Sequence, residues 1–88
     1  TKLYQDKHQN VSILEVASRD RPGLLAKIAV IFEEYEILLK AAKIQTLGER
    51  VEDVFFITTH EDLPLKNKKL CTSIQSSIRN ELDKSLNQ

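Results

Sequence analysis

The sequence predicts an α+β sandwich of the ferredoxin-like layout, with an antiparallel or mixed sheet of about four strands and two helices covering one face. Three observations carry that prediction. Two segments repeat apolar residues at helical spacing, the segments between them are β-branched and aromatic, and the order along the chain is β-α-β-β-α.

Leu3-Tyr4-Gln5 is β-prone, and Asp6-Lys7-His8-Gln9-Asn10 has the composition of a turn, so residues 2–6 enter as one arm of a hairpin. The second arm, residues 11–17, sets Val11, Ile13 and Ala17 on one face and Leu14 and Val16 on the other. From Leu24 the apolar positions are Leu24, Leu25, Ile28, Ile31, Phe32 and Tyr35, the spacing of an amphipathic helix. Asp20 suits its N-cap and Pro22 its first turn, which places the start near Arg21. Glu36 stands where Gly or Asn usually ends such a helix.

In the β-prone run Ile37 to Leu47, Leu39, Ala42 and Ile44 break strict alternation, which a β-bulge near Lys40-Ala41 would explain. Gly48-Glu49 then reads as a two-residue type II′ turn into the strand that ends at Thr59. After the Pro-terminated loop 60–64, Leu70, Ile74, Ile78, Leu82 and Leu86 recur every fourth residue as a narrow helical stripe. The strand that usually closes a ferredoxin-like sheet after this helix is missing, and residues 2–6 are expected in its slot. Val54 and Phe56 lie opposite Phe55 and Ile57, so the second sheet face is expected to meet another subunit or domain.

Eighty-eight residues make one domain, 1–88, and hydrophobic residues at 41 % with charged ones at 30 % are the composition of an ordinary folded protein. Thirteen basic residues balance thirteen acidic ones, leaving no field to gather phosphate backbones or acidic membranes, so neither nucleic acid nor a membrane is an expected partner. One cysteine forms no internal disulfide, which makes the cytoplasm the expected compartment. The lack of Met and of a signal region points to a piece of a longer polypeptide.

Catalytic signals are sparse. Cys71 beside Leu70 reads as a packed thiol, and His60-Glu61-Asp62 lacks the ligand spacing of a metal site. Glu33-Glu34 occupy an exposed helix face, while Glu52 and Asp53 point to opposite faces of a strand. Phe55 and Phe56 are adjacent, so only one could stack on a base, among repelling carboxylates. No catalytic residue, metal ligand or cofactor is expected in this chain. The turn Asp20-Arg21-Pro22-Gly23-Leu24-Leu25 differs, because it sets a glycine and free backbone N–H groups at a helix start directly after a strand. Such a terminus either holds a carboxylate or is a plain structural cap.

Asp20-Arg21-Pro22-Gly23-Leu24-Leu25-Ala26, followed by Ile28 and Phe32, resembles the entry signature of ACT domains, the small-molecule regulatory modules of amino-acid metabolism. Together with the run from Ala42 through Gly48 to Ile57, it is similar to the C-terminal ACT domains of bifunctional uridylyltransferase/uridylyl-removing enzymes. That resemblance implies a glutamine-sensing regulatory domain. The parent would be a nucleotidyltransferase and phosphodiesterase, expected to need Mg2+, that uridylylates and deuridylylates the PII nitrogen-signalling protein. The implied ligand contacts are the turn residues Asp20, Arg21, Pro22, Gly23 and Leu24, with the backbone of Ala42, Lys43 and Ile44 facing a neighbouring ACT domain or homodimer partner. Arg21 equally suits a solvent or interdomain position. The alternatives are a ligand-free structural or dimerisation module and, last, an enzyme or RNA-binding fragment. Glu36 and the missing final strand depart from the family pattern.

Overall fold

Six elements follow one another in the computed structural model, which describes residues 1–19 and 23–86 of the chain. They are β1 (Lys2–Asp6), β2 (Val11–Arg19), α1 (Leu24–Glu34), β3 (Ile37–Leu47), β4 (Arg50–Thr59) and α2 (Lys68–Leu86). The sheet is antiparallel throughout, in the order β1-β2-β4-β3. This is the ferredoxin-like α+β arrangement of an ACT domain, with β1 in the slot beside β2 expected for residues 2–6.

The β1–β2 turn forms because the Asp6 carboxylate accepts the N–H groups of His8, at 2.9 Å, and Gln9, at 3.4 Å. The bulge is at Lys40: Leu39 pairs with Ile57 and Ala41 with Phe56, so one residue of β3 has no counterpart and the alternation shifts. Lys40 reaches the Asp62 carboxylate at 2.7 Å. Gly48 takes φ +66 in the two-residue turn that the Leu47–Arg50 pair closes.

Helix α1 departs from expectation at its start. It begins at Leu24, not near Arg21, because its N-cap Gly23 has φ +80, outside the basin a right-handed helix can include. The cap assigned to Asp20 lies outside the described residues. At the other end Glu36 is left-handed, with φ +57, and its N–H donates to the Glu33 carbonyl at 3.1 Å. A side chain in that basin costs about 1–2 kcal/mol, which is why glycine is the usual choice there.

Leu14 and Val16 of β2 and Phe55 and Ile57 of β4 meet Leu24, Ile28, Ile31 and Phe32 of α1 and Ile74 and Ile78 of α2 in one core. Leu25 turns outward at 44 % exposure, since the apolar arc of α1 is wider than the surface it covers. Phe32 meets Phe55 edge to face, with ring centroids 5.6 Å apart. Helix α2 is capped by Asn67, whose side-chain oxygen accepts the N–H groups of Lys69 and Leu70. In front of it, Leu65 completes a ring with β1 and β2. Its N–H donates to Ser12 Oγ at 2.8 Å, the Ser12 hydroxyl donates to Gln5 Oε1 at 2.8 Å, and Gln5 Nε2 donates back to the Leu65 carbonyl. Ser12 is fully buried, yet every polar group in the ring has a partner.

Candidate ligand site

Strand β2 delivers the chain to the turn before α1, and β3 and β4 come back beside it in register, with Val16 opposite Asp53 and Asp53 opposite Ile44. Their helix-facing side chains and the first residues of α1 enclose a cavity of about 100 Å³, lined by Ser18, Leu24, Ile44, Thr46, Val51 and Asp53 with Arg19 and Leu25 at its margin. Gly23 adjoins it, and among the described residues, its chain neighbours aside, no heavy atom comes within 4 Å of where a Cβ would stand.

Of the residues singled out from the sequence, Gly23, Leu24 and Ile44 are brought together at this end of the sheet. Ala42 pairs with Phe55 on the same face, one row away from the cavity. The Lys43 side chain lies on the opposite face, its ammonium 5.8 Å from the centre of the Phe56 ring. Asp20, Arg21 and Pro22 lie outside the described residues. Strand β3 is an edge of the sheet, and from Leu39 onward all its residues are exposed.

Sequence reasoning passed over Ser18 and weighed Asp53 only as a partner of Glu52, not as part of this site. Asp53 is only 2 % exposed and shares its face with Val51, Phe55 and Ile57; a charged residue in a core-facing position was the available signal. Ser18 continues the face of Leu14 and Val16. Its hydroxyl is buried with no hydrogen-bond partner among the described residues. The other buried polar side chains, Ser12 and Thr58, are bonded locally, Ser12 in the ring above and Thr58 to the Thr59 carbonyl. Among the described residues, a buried hydroxyl without a partner is thus found at the cavity beside Gly23, that of Ser18. Chemically, the arrangement offers backbone N–H groups at a helix start, a hydroxyl and a carboxylate around a small apolar floor, which suits a ligand with both donors and acceptors.

No family model matches the chain. Relatives of known identity do: it is 51 % identical over 80 residues to the bifunctional uridylyltransferase/uridylyl-removing enzyme of Pseudomonas entomophila strain L48, covering 91 % of this chain and 9 % of that protein. It is 50 % identical over 80 residues to the same enzyme of Pseudomonas putida strain W619, and 51 % identical over 76 to that of Ectopseudomonas mendocina strain ymp. The chain belongs to this enzyme family, as one segment of it. It spans about 9 % of the length of the uridylyltransferase/uridylyl-removing enzymes it matches. Among the described residues, no helix is long and apolar enough to cross a membrane, and no group of three or more His, Cys, Asp or Glu could hold a metal ion.

Proposed function

We propose that this segment is an amino-acid-sensing regulatory domain of the uridylyltransferase/uridylyl-removing enzyme, that its ligand is L-glutamine, and that ligand binding shifts the enzyme between attaching uridylyl groups to PII and removing them. One observation carries the reading. A glycine-started helix opens onto a cavity that holds a buried, unpartnered hydroxyl, beside an exposed edge strand. Glutamine's carboxylate would meet the N–H groups of Gly23 and Leu24, with the turn residues Asp20, Arg21 and Pro22 framing it, and Ser18 would serve the ligand's remaining polar groups.

The cavity, at about 100 Å³, is well below the ~300–1,000 Å³ of pockets that enclose a ligand on all sides. A second surface must therefore complete it. The β3 edge at Ala42, Lys43 and Ile44 is where a neighbouring ACT domain or a homodimer partner would pair, closing the ligand between two domains. Coupling then follows from differential affinity: the ligand favours the domain arrangement in which both halves of its site are together.

The test is thermal unfolding of the chain with L-glutamine, L-glutamate and D-glutamine, at concentrations that allow pairing. Ligand at a hundred times its dissociation constant adds about 2.7 kcal/mol, roughly ten degrees or more for a domain of this size. A shift with L-glutamine alone, lost in Ser18→Ala, is the expected result. No shift with any amino acid, in this chain and in the intact enzyme alike, would leave the domain a structural or dimerisation module.

A further inference from the structure

The far end of α1 carries a second feature, separate from the glutamine reading. Two cavities, about 490 and 360 Å³, meet at the α1–β3 corner and share Glu36, Ile37 and His60, so that they form one groove around it. Its floor is apolar, with Ile37, Leu63, Pro64 and Leu70 on one side of the corner and Ala29 and Leu39 on the other. Leu39 and Leu63 are each 49 % exposed at its two mouths. The walls are organised, not loose. The Leu63 carbonyl accepts from Thr59 N–H at 2.7 Å, the Asp62 N–H donates to the Thr59 carbonyl at 2.9 Å, and Lys40 ties Asp62 to the β3 bulge.

The rim is acidic. Glu33, Glu36 and Glu61 line the groove, against Lys66 and His60. Glu33 and Glu36 stand at the C-terminal end of α1, the negative end of its dipole, and no basic residue lies in that last turn. Glu36 does so from a backbone conformation that glycine would adopt without strain. A locally unfavourable glutamate at the junction of two apolar cavities has a use if something cationic lies across it.

We propose that this groove docks a segment of the enzyme's own polypeptide from outside these residues, one carrying a Lys or Arg between apolar side chains, with Glu36 receiving the cation and the two halves of the floor receiving its neighbours. Charge complementarity gives the chemistry of the occupant. Its source follows from length: the chain is about 9 % of the enzymes it matches, and a tethered segment competes at high effective concentration.

Hydrogen–deuterium exchange on the intact enzyme and on this 88-residue chain tests the proposal. The amides of residues 59–63, 65 and 66 and of Glu36 and Ile37 should exchange at least about tenfold more slowly in the intact enzyme, one decade in the opening equilibrium. Residues 63, 65 and 66 are the informative part, because Thr59 pairs with Ile37 of β3 and Asp62 is tied to Lys40, close to the stretch at 42–44 proposed for domain pairing. Glu36→Lys in the intact enzyme should return those amides to the isolated-chain rate, and Glu36→Gln, which keeps the backbone cost but not the charge, should do so in part. Melting curves of both variants of the short chain establish that they fold. Equal exchange in the two proteins overturns the proposal, as does protection that survives Glu36→Lys. Protection that appears in the short chain as its concentration rises would make a second copy the occupant and overturn it too.

Discussion

The two edges of the sheet are built on opposite plans. At β1 the side chains of Gln5 and Ser12 turn inward to Leu65 and close a hydrogen-bonded ring, so the edge is sewn to the loop in front of α2. At β3 every residue beyond Leu38 is exposed, Leu39, Ile44 and Leu47 among them, and beneath this edge lies the cavity with the unpartnered Ser18 hydroxyl. Both are edge strands with an outer row of unpaired backbone groups. But β1, where Tyr4 is 45 % exposed, is tied to the loop before α2, whereas β3 carries the exposed apolar side chains Leu39, Ile44 and Leu47, a surface suited to a contact. The comparison thus separates what holds the domain together from what connects it.

The largest expected effect lies at the closed edge. Ser12→Ala removes the acceptor of the Leu65 N–H and the donor to Gln5 in a fully buried position, and should cost about 2–3 kcal/mol, roughly 10–20 degrees in melting temperature. Differential scanning calorimetry would show it; a variant that melts like the parent would mean the ring does not hold β1. Gly23→Val comes next, at the open end of α1. There is room for the side chain, but φ +80 is costly for a β-branched residue, and a loss of about 1–2 kcal/mol is expected by the same measurement. Ile44→Lys on the open edge should change stability by no more than about 0.5 kcal/mol, because the side chain is 52 % exposed. It should nevertheless abolish the proposed glutamine-dependent shift, and a variant that kept the shift would place the ligand away from β3.

The core and the bulge in β3 were the parts legible in the sequence. Alternation in β2 and β4, the fourfold spacing of Ile74 and Ile78, and the broken parity around Lys40 gave the elements, their buried faces and the bulge, because each is a direct consequence of backbone period. The ring was not legible, since it joins residues up to sixty positions apart through side-chain bonds that leave no periodic trace. For the same reason Leu65, one of the least exposed residues, was assigned no role between the loop 60–64 and the second helix. At the site the sequence showed the glycine turn but not the wall. Asp53 could be placed on a face by parity, yet that this face ends in a cavity beside Ser18 depends on how β2, β3 and β4 converge near α1. The start of α1 was read three residues early because Asp20 and Pro22 are good helix-entry residues, while the left-handed Gly23 after them takes precedence.

The smallest expected effect returns to the closed edge and asks whether it stays closed when the pH changes. Cys71 packs against the core with its Sγ 3.6 Å from the Leu65 carbonyl, the oxygen that also takes part in the ring. Partial burial pushes the thiol pKa up, and its backbone hydrogen bonding offsets this only in part. A thiol whose pKa is higher in the folded than in the unfolded chain binds more protons when folded. Its contribution to stability is therefore complete below the unfolded value, about 8.5, and is lost as the pH rises through the folded one. Melting temperatures measured from pH 7 to 10 should thus fall slightly more steeply for the parent than for Cys71→Ala, with the curves diverging only above about pH 8. The Ala variant starts lower because the packed sulfur is gone, so the slopes carry the test and the offset does not. Parallel curves would mean that the thiol is as well hydrated folded as unfolded, and that the loop carrying Leu65 opens to water often enough to leave the β1 edge less closed than its hydrogen bonds imply.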